Sequence, residues 1–321
     1  MAEYRAELTI DPSFVTSHVE IGRVRESLGD VEAAVREYRS ALRIDPLDGT
    51  SRCELGRALV EQGRDVDALN EYREAIRLRP GYVRFHIELA NLLDKTGATK
   101  EALTAFEDAI RLDPDYPGFR RDLAVVLFKS GKPSEAAIQF RRVLIDEPNN
   151  AELHNQLGRA LAAMGDKVAA ADAFSRAVDL EPSKASYRAN LGLAHEELGR
   201  AAEAVFQYRE SFKIDSQNPS VMNALAKLLS ISSDGAVRNG SEAVRWAERL
   251  CDMIGPDHPG HPEALDTLAA AYAEAGRFRE VVDVAQRAIH YAKSNKRLDF
   301  ATKMRARLAL YQAGRAYHVA P

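Results

Sequence analysis

The sequence predicts an all-α chain: a right-handed α-solenoid of stacked antiparallel helix pairs, about eight of them, with a C-terminal capping helix. Two observations carry this. Pro46, Pro80, Pro114, Pro148 and Pro182 lie 34 residues apart each time, and a fixed period of that size marks stacked supersecondary units rather than one globular core. Between the prolines, apolar residues fall at helical spacing in two runs separated by a glycine.

The clearest unit spans residues 151–182. Leu153, Leu157, Ala160, Leu161 and Met164 make the first helical stripe, and Gly165 supplies the positive φ at which helices commonly end. Ala170, Phe174, Ala177 and Val178 make the second stripe. Pro182 stops it and biases Glu181 away from helical angles. One such hairpin cannot bury both apolar faces, so neighbours must stack. The register recurs. Ile21–Gly22, Leu55–Gly56, Leu89–Ala90, Leu123–Ala124, Leu157–Gly158 and Leu191–Gly192 hold one position. Ala34, Ala68, Ala102, Ala136, Ala170 and Ala204 hold the second. Tyr38, Tyr72, Phe106, Phe140, Phe174 and Tyr208 hold the third.

This order of residues resembles the tetratricopeptide repeat, a 34-residue helix–turn–helix unit. One departure recurs: the position that is tryptophan in the family holds His18, Arg52, His86, Arg120, His154 and Arg188. In order along the chain, residues 1–14 read as the second helix of a partial repeat, a cap or the remnant of a longer chain. Residues 15–216 read as six regular repeats, and 217–294 as two divergent repeats with inserted loops at 232–241 and 253–264. Residues 295–321 read as a capping helix and tail, with Leu298, Ala301, Met304, Leu308 and Tyr311 on its apolar stripe. The region from Leu229 onward resembles the C-terminal segment of many bacterial proteins of this family, which implies a bacterial source and a natural C-terminus.

Composition narrows the function classes. The chain has 321 residues, a formal net charge of −4, 29% charged and 45% hydrophobic residues, an ordinary water-soluble balance. No apolar run approaches the ~20 residues of a membrane span, and the N-terminal residues lack a signal-peptide pattern; the expected compartment is the cytoplasm. There is no basic stripe of the sort that phosphate binding demands, so nucleic acid is not an expected partner. Cys53 and Cys251 fall several repeats apart, too far to bridge, and read as small buried hydrophobes. No phosphate loop, nucleophile elbow or dinucleotide fingerprint is present. His258 and His261, with Asp257, fall short of a convergent metal set and read as a solvated loop. Trp246 reads as packing. No cofactor, metal site or catalytic residue is expected.

What remains is binding. In the family, first-helix residues line a concave face that grips a peptide or helical segment. Carried over by register, that implies a ridge of Val19, Cys53, Ile87, Arg121, Asn155, Ala189 and Asn223. One residue on come Glu20, Glu54, Glu88, Asp122, Gln156 and Asn190. Four residues after the first ridge come Arg23, Arg57, Asn91, Val125, Arg159, Leu193 and Lys227. The candidate groove residues are Arg57, Asn91, Arg121, Asn155, Arg159, Asn190, Asn223 and Lys227. Amides can pair with a peptide backbone of any sequence, and Arg and Lys favour carboxylates. Glu20–Arg23 and Glu54–Arg57 are i,i+3 pairs, each contributing ~0.2–0.5 kcal/mol. The expectation is a non-enzymatic scaffold or adaptor for a protein or peptide partner. The alternatives are the substrate-recruiting arm of a larger enzyme, such as a glycosyltransferase, and a scaffold that self-assembles through its terminal helices.

Overall fold

The structure, a computed structural model, describes residues 14–114, 116, 118–256 and 258–319. The partial repeat and N-terminal helix expected in residues 1–13, and Asp257, lie outside the described residues. Among the described residues every regular element is an α-helix, and consecutive helices pair as hairpins. The chain divides between Ile145 and Asp146 into two compact units.

The first unit holds four hairpins. They are α1 (Val15–Ser27) with α2 (Val31–Ile44), α3 (Gly49–Glu61) with α4 (Asp65–Leu78), α5 (Val83–Lys95) with α6 (Thr99–Leu112), and α7 (Arg120–Lys129) with α8 (Pro133–Asp146). The second unit continues with α9 (Ala151–Ala163) and α10 (Lys167–Leu180), α11 (Ala185–Glu197) and α12 (Ala201–Ile214), α13 (Pro219–Ile231) and α14 (Gly240–Ile254), and α15 (His261–Glu274) and α16 (Phe278–Ser294). A single helix, α17 (Leu298–Gln312), follows.

Each regular hairpin turns at its glycine. Gly165 has φ +81°, and Asp166 N–H closes the turn on Leu161 O at 3.0 Å, the six-to-one bond of a Schellman motif. Inside the hairpin an aromatic ring of the second helix lies on the bare backbone of the first. A Cβ on Gly22, Gly56, Gly158 or Gly192 would come within 2.4–2.7 Å of Tyr38, Tyr72, Phe174 or Tyr208 respectively. The six alanines at the second register position have no exposed surface at all, so the helices also meet closely there. Where the first-helix residue is alanine, at Ala90 and Ala124, the ring is phenylalanine.

The recurring departure from tryptophan has a physical explanation. At five of the six positions the side chain reaches six residues back, to the carbonyl of the proline ending the preceding hairpin, while His18 pairs with Glu37. Arg52 Nη2 donates to Pro46 O at 3.0 Å, His86 Nε2 to Pro80 O at 2.8 Å, His154 Nε2 to Pro148 O at 2.9 Å and Arg188 Nε to Pro182 O at 2.9 Å; Arg120 does the same to Pro114 O. The arginines have a second nitrogen to satisfy, and each finds an acceptor 19 residues on. Arg52 reaches Glu71 at 2.9 Å, Arg120 reaches Gln139 at 3.3 Å and Arg188 reaches Gln207 at 3.3 Å. Opposite His86 and His154 the same position holds Ala105 and Ala173. Beside His86 the shorter pair leaves an open cleft of about 350 Å³ floored by Ile76, Leu89, Leu93 and Ala105.

The second unit departs from regularity where the sequence inserts residues. The 232–239 segment is folded rather than a loose connection. Val237 is buried, and Arg238 Nη1 donates to Ser232 O at 2.7 Å while its Nε meets Glu274 at 3.1 Å. Asn239 caps α14 through Glu242 N–H. Gly240 then passes so close to α15 that a Cβ there would sit 2.5 Å from the Ala275 nitrogen. Trp246 packs edge-on against Phe212, with centroids 4.4 Å apart, and donates to Glu242 at 3.2 Å, as expected of a packing residue. Ser211, which replaces a core alanine, is buried but donates to Ala185 O at 2.8 Å. On α17, Ala301, Met304 and Tyr311 are buried and Leu308 is partly so. Leu298, expected on that stripe, is 66% exposed because it is the first residue of the helix and lies beyond the edge it covers.

The ring-on-glycine contact predicts the effect of Gly158→Ala. The helix-propensity gain of roughly 1 kcal/mol is set against overpacking of the Phe174 ring, about 1–3 kcal/mol. The expected outcome is a lower urea midpoint at unchanged m-value. A higher midpoint would show that the ring does not rest on the Gly158 backbone.

Candidate functional site

The first helices carry the positions marked by register, and each unit fastens them differently. In the first unit the centre is Glu54 on α3, a carboxylate with essentially no exposed surface. Arg23 of α1 holds its Oε1 through Nη2 at 2.6 Å and Nε at 3.1 Å. Arg84 of α5 meets the same oxygen at 3.1 Å, and Arg57, one turn along α3, contacts Oε2 at 3.1 Å. Arg23 also meets Glu20 at 2.6 Å. Arg57 spans back to Glu26 at 3.0 and 2.9 Å, and Glu26 in turn accepts the Tyr38 hydroxyl at 2.7 Å. A buried charge requires such compensation, because desolvation alone is prohibitive. The Glu20–Arg23 and Glu54–Arg57 pairs expected from i,i+3 spacing are present, but Arg23 and Arg57 also bond residues 31 positions away.

Two further carboxyls on this face are shifted. Burial pushes Glu88 above the usual carboxylate range, against the pull of Arg84 and Arg57. Burial likewise raises Asp122, opposed by its hydrogen bond from Asn91 and by Arg121. Of the candidate residues in this unit, Arg57 and Asn91 are half-buried and engaged, and Arg121 is exposed.

In the second unit neutral groups take over. Asn190 Nδ2 on α11 donates to Asn155 Oδ1 on α9 at 2.7 Å, with Asn155 buried. Thr267 on α15 donates to Asn223 Oδ1 on α13 at 2.8 Å. A polar chain runs beside them. Tyr187 donates to Glu152 at 2.8 Å, Gln156 bridges to Glu152 at 2.5 Å, and Arg159 donates to Gln156 at 2.9 Å. Lys227 stands 3.7 Å from Glu196. Arg159 and Lys227 are exposed, and Asn190 and Asn223 half-buried.

The structure therefore joins Asn155 with Asn190, sets Asn223 against Thr267, and draws Arg57 into the Glu54 cluster. Sequence reasoning missed Glu26, Arg84 and Thr267 as partners, and missed that Glu54 reaches Arg23 and Arg84 of other repeats. The available signal was the register itself: the fourth residue after the ridge in one repeat faces the first after the ridge in the next. Arg23 with Glu54 and Asn91 with Asp122 both follow that rule.

Among the described residues no three of His, Cys, Asp and Glu are grouped so as to hold a metal ion. Both cysteines are free, and burial pushes the Cys53 thiol up to about 12, far from a reactive thiolate. His261, expected in a solvated loop, is instead the first residue of α15 and 4% exposed, because the Tyr291 ring edge packs on it at 5.1 Å. Neither of its ring nitrogens has a partner. Burial holds it below the usual histidine range, with Arg287 and His258 adding to the effect. No helix of the described residues is long and apolar enough to cross a membrane.

Stacked hairpins with a polar first-helix face define a helical-repeat interaction module. Family models described as tetratricopeptide repeat match residues 95–157 and residues 19–83 and 155–219, and the chain belongs to the tetratricopeptide-repeat family. No curated protein matches it. Among solved structures it is similar to YrrB, described as a TPR protein with an unusual peptide-binding site. That match has 21% identity and a TM-score of 0.56, and covers 58% of this chain and 96% of that one. A tetratricopeptide repeat protein from Parabacteroides merdae ATCC 43184 matches at 15% identity, TM-score 0.53, with coverage of 80% and 98%. MamA from Desulfovibrio magneticus RS-1 matches at 19% identity, TM-score 0.51, with coverage of 53% and 97%. At these identities the likeness is one of fold. Repeats of this family are in general non-catalytic protein–protein interaction modules.

Two measurements test the site's energetics. Glu54→Ala leaves Arg23, Arg57 and Arg84 around an empty position and is expected to cost about 3 kcal/mol, the low end for breaking a buried pair whose arginines are partly solvated. A urea midpoint within error of the parent would show that the cluster contributes nothing. Acid titration tests His261. The unfolded imidazole binds a proton below about pH 6.5, whereas the buried one stays neutral to lower pH. The unfolded state thus binds more protons, and stability from this group is complete above that pH and lost as pH falls towards the folded pKa. His261→Leu is expected to flatten the loss of stability between pH 7.5 and 5.5; an unchanged slope would remove His261 as its source.

Proposed function

We propose that this protein is a non-enzymatic scaffold that holds a peptide or helical segment of a partner protein against the first helices of its hairpins. The contacts come from Arg57, Asn91 and Arg121 in the first unit and from Asn155, Arg159, Asn190, Asn223 and Lys227 in the second. The observation that carries this reading is the division of labour on that face. Buried and half-buried amides are already oriented by bonds between hairpins, while Arg121, Arg159 and Lys227 stand exposed beside them. Rigid, pre-oriented groups bind without an ordering cost on the protein side, and exposed cations select segments that carry carboxylates. The peptide-binding site for which the YrrB structure is described accords with it.

The test uses the exposed cations, since altering the bonded amides would also disturb the stack. Arg159→Glu with Lys227→Glu reverses two charges in the second unit at little expected cost to folding. A partner retained from native lysate by the parent and bound at least tenfold more weakly by this variant, at matched unfolding midpoints, is the expected result. Equal retention by both would move the binding surface elsewhere on the molecule.

A further inference from the structure

Residues 315–319 form an extended segment that leaves α17 and crosses the C-terminal ends of α15 and α13. Gly314 turns the chain with φ +69°. Tyr317 then lies under the Arg307 guanidinium, 4.3 Å from ring centroid to the guanidinium carbon, and packs on the core of the second unit. His318 Nε2 donates to Glu274 Oε2 at 2.7 Å. Val319 N–H donates to Ile231 O at 2.9 Å, a backbone carbonyl at the end of α13. The segment is thus held as a bound peptide is held: one ring, one side-chain donor and one main-chain bond, each to a different helix.

The groups that receive it are positioned without it. Arg307 is locked to Asp266 of α15. Glu274 is held at 3.1 Å by Arg238, which is itself anchored to Ser232 O at 2.7 Å. Ile231 ends α13 and is buried. The inserted segment 232–239 thereby acquires a task, because it carries the arginine that aims Glu274. The occupant is shallow by comparison. Arg315, His318 and Val319 remain exposed, and Tyr317 alone of its large side chains is substantially covered.

We propose that this surface is a second peptide site, distinct from the first-helix residues of the preceding section. In this structure it is closed by the chain's own residues 315–319. It is suited to a partner's extended segment in which an aromatic residue is followed directly by a hydrogen-bond donor. The ring takes the cation–π contact with Arg307, the donor takes Glu274, and the main chain takes Ile231 O whatever the side chain. The chain's own segment competes as a tethered ligand. Its effective concentration is of millimolar order for so short a connection, so an outside peptide binds measurably only when the tethered one is weakened.

The test keeps the full chain. The probe is a fluorescein-labelled, amidated peptide with the sequence of residues 315–319, and the opened protein carries Tyr317→Ala with His318→Ala. Fluorescence anisotropy is expected to show the opened protein binding the probe about tenfold or more tighter than the parent, as a millimolar tether against a ~100 µM site implies. A control peptide with alanine in place of its tyrosine and histidine is expected not to bind. Equal binding by parent and opened protein, equal binding of both peptides, or no binding by an opened protein whose unfolding curve matches the parent's would each overturn the proposal. None of these results bears on the Arg159 and Lys227 surface.

Discussion

Four of the hairpins depend on an aromatic ring laid on a helix that has no side chain beneath it. Tyr38, Tyr72, Phe174 and Tyr208 each occupy the space that a Cβ on the facing glycine would fill. Close-packed interiors are sensitive to single methylenes, so this contact sets the distance between the two helices of a hairpin. The fully buried alanines at the second register position set it again a few residues away. With the hairpin's thickness fixed twice, the apolar faces of successive hairpins within each unit meet in register and the core extends along the chain there. It needs no centre.

Once the core is fixed, the polar positions divide into buried or half-buried ones that fasten hairpins and exposed ones beside them. The donors that replace tryptophan hold the incoming chain at the proline carbonyl. The Glu54 cluster in the first unit, and the Asn155–Asn190 and Asn223–Thr267 bonds in the second, tie first helix to first helix. Bonds between buried polar groups rigidify what they join. The cost is that few of these side chains are idle, and a ligand must work mainly with the exposed cations beside them.

Much of the fold was legible because it repeats. A 34-residue period, glycine turns and a conserved order of large and small residues over six copies are redundant signals, and the hairpins fall where that register puts them. The site was less legible, for a physical reason. Arg23 and Glu54 are partners because two helices from different repeats lie side by side, and only the register across repeats carries that information. His261 read as a loop residue because its neighbours are glycine and proline; that α15 begins there, under the Tyr291 ring, is decided by packing. The insertion read as a connection, whereas its arginine and its close-packed glycine are matched to α15, 34 to 36 residues further on.

The inter-repeat pairs also carry an order. In their cores the six regular hairpins look interchangeable, since each presents a glycine or alanine, an alanine and an aromatic ring at the same positions. At their seams they are not. Arg23 requires the carboxylate that the second repeat supplies, Asn91 meets Asp122 of the fourth, and Asn155 meets the amide of the sixth. A chain with the same hairpins in another sequence would build every core and mismatch the seams, leaving charged groups to face amides or alkyl chains. The succession of repeats is thus written into the molecule as a set of nearest-neighbour polarities, laid over a core that does not itself distinguish one repeat from the next.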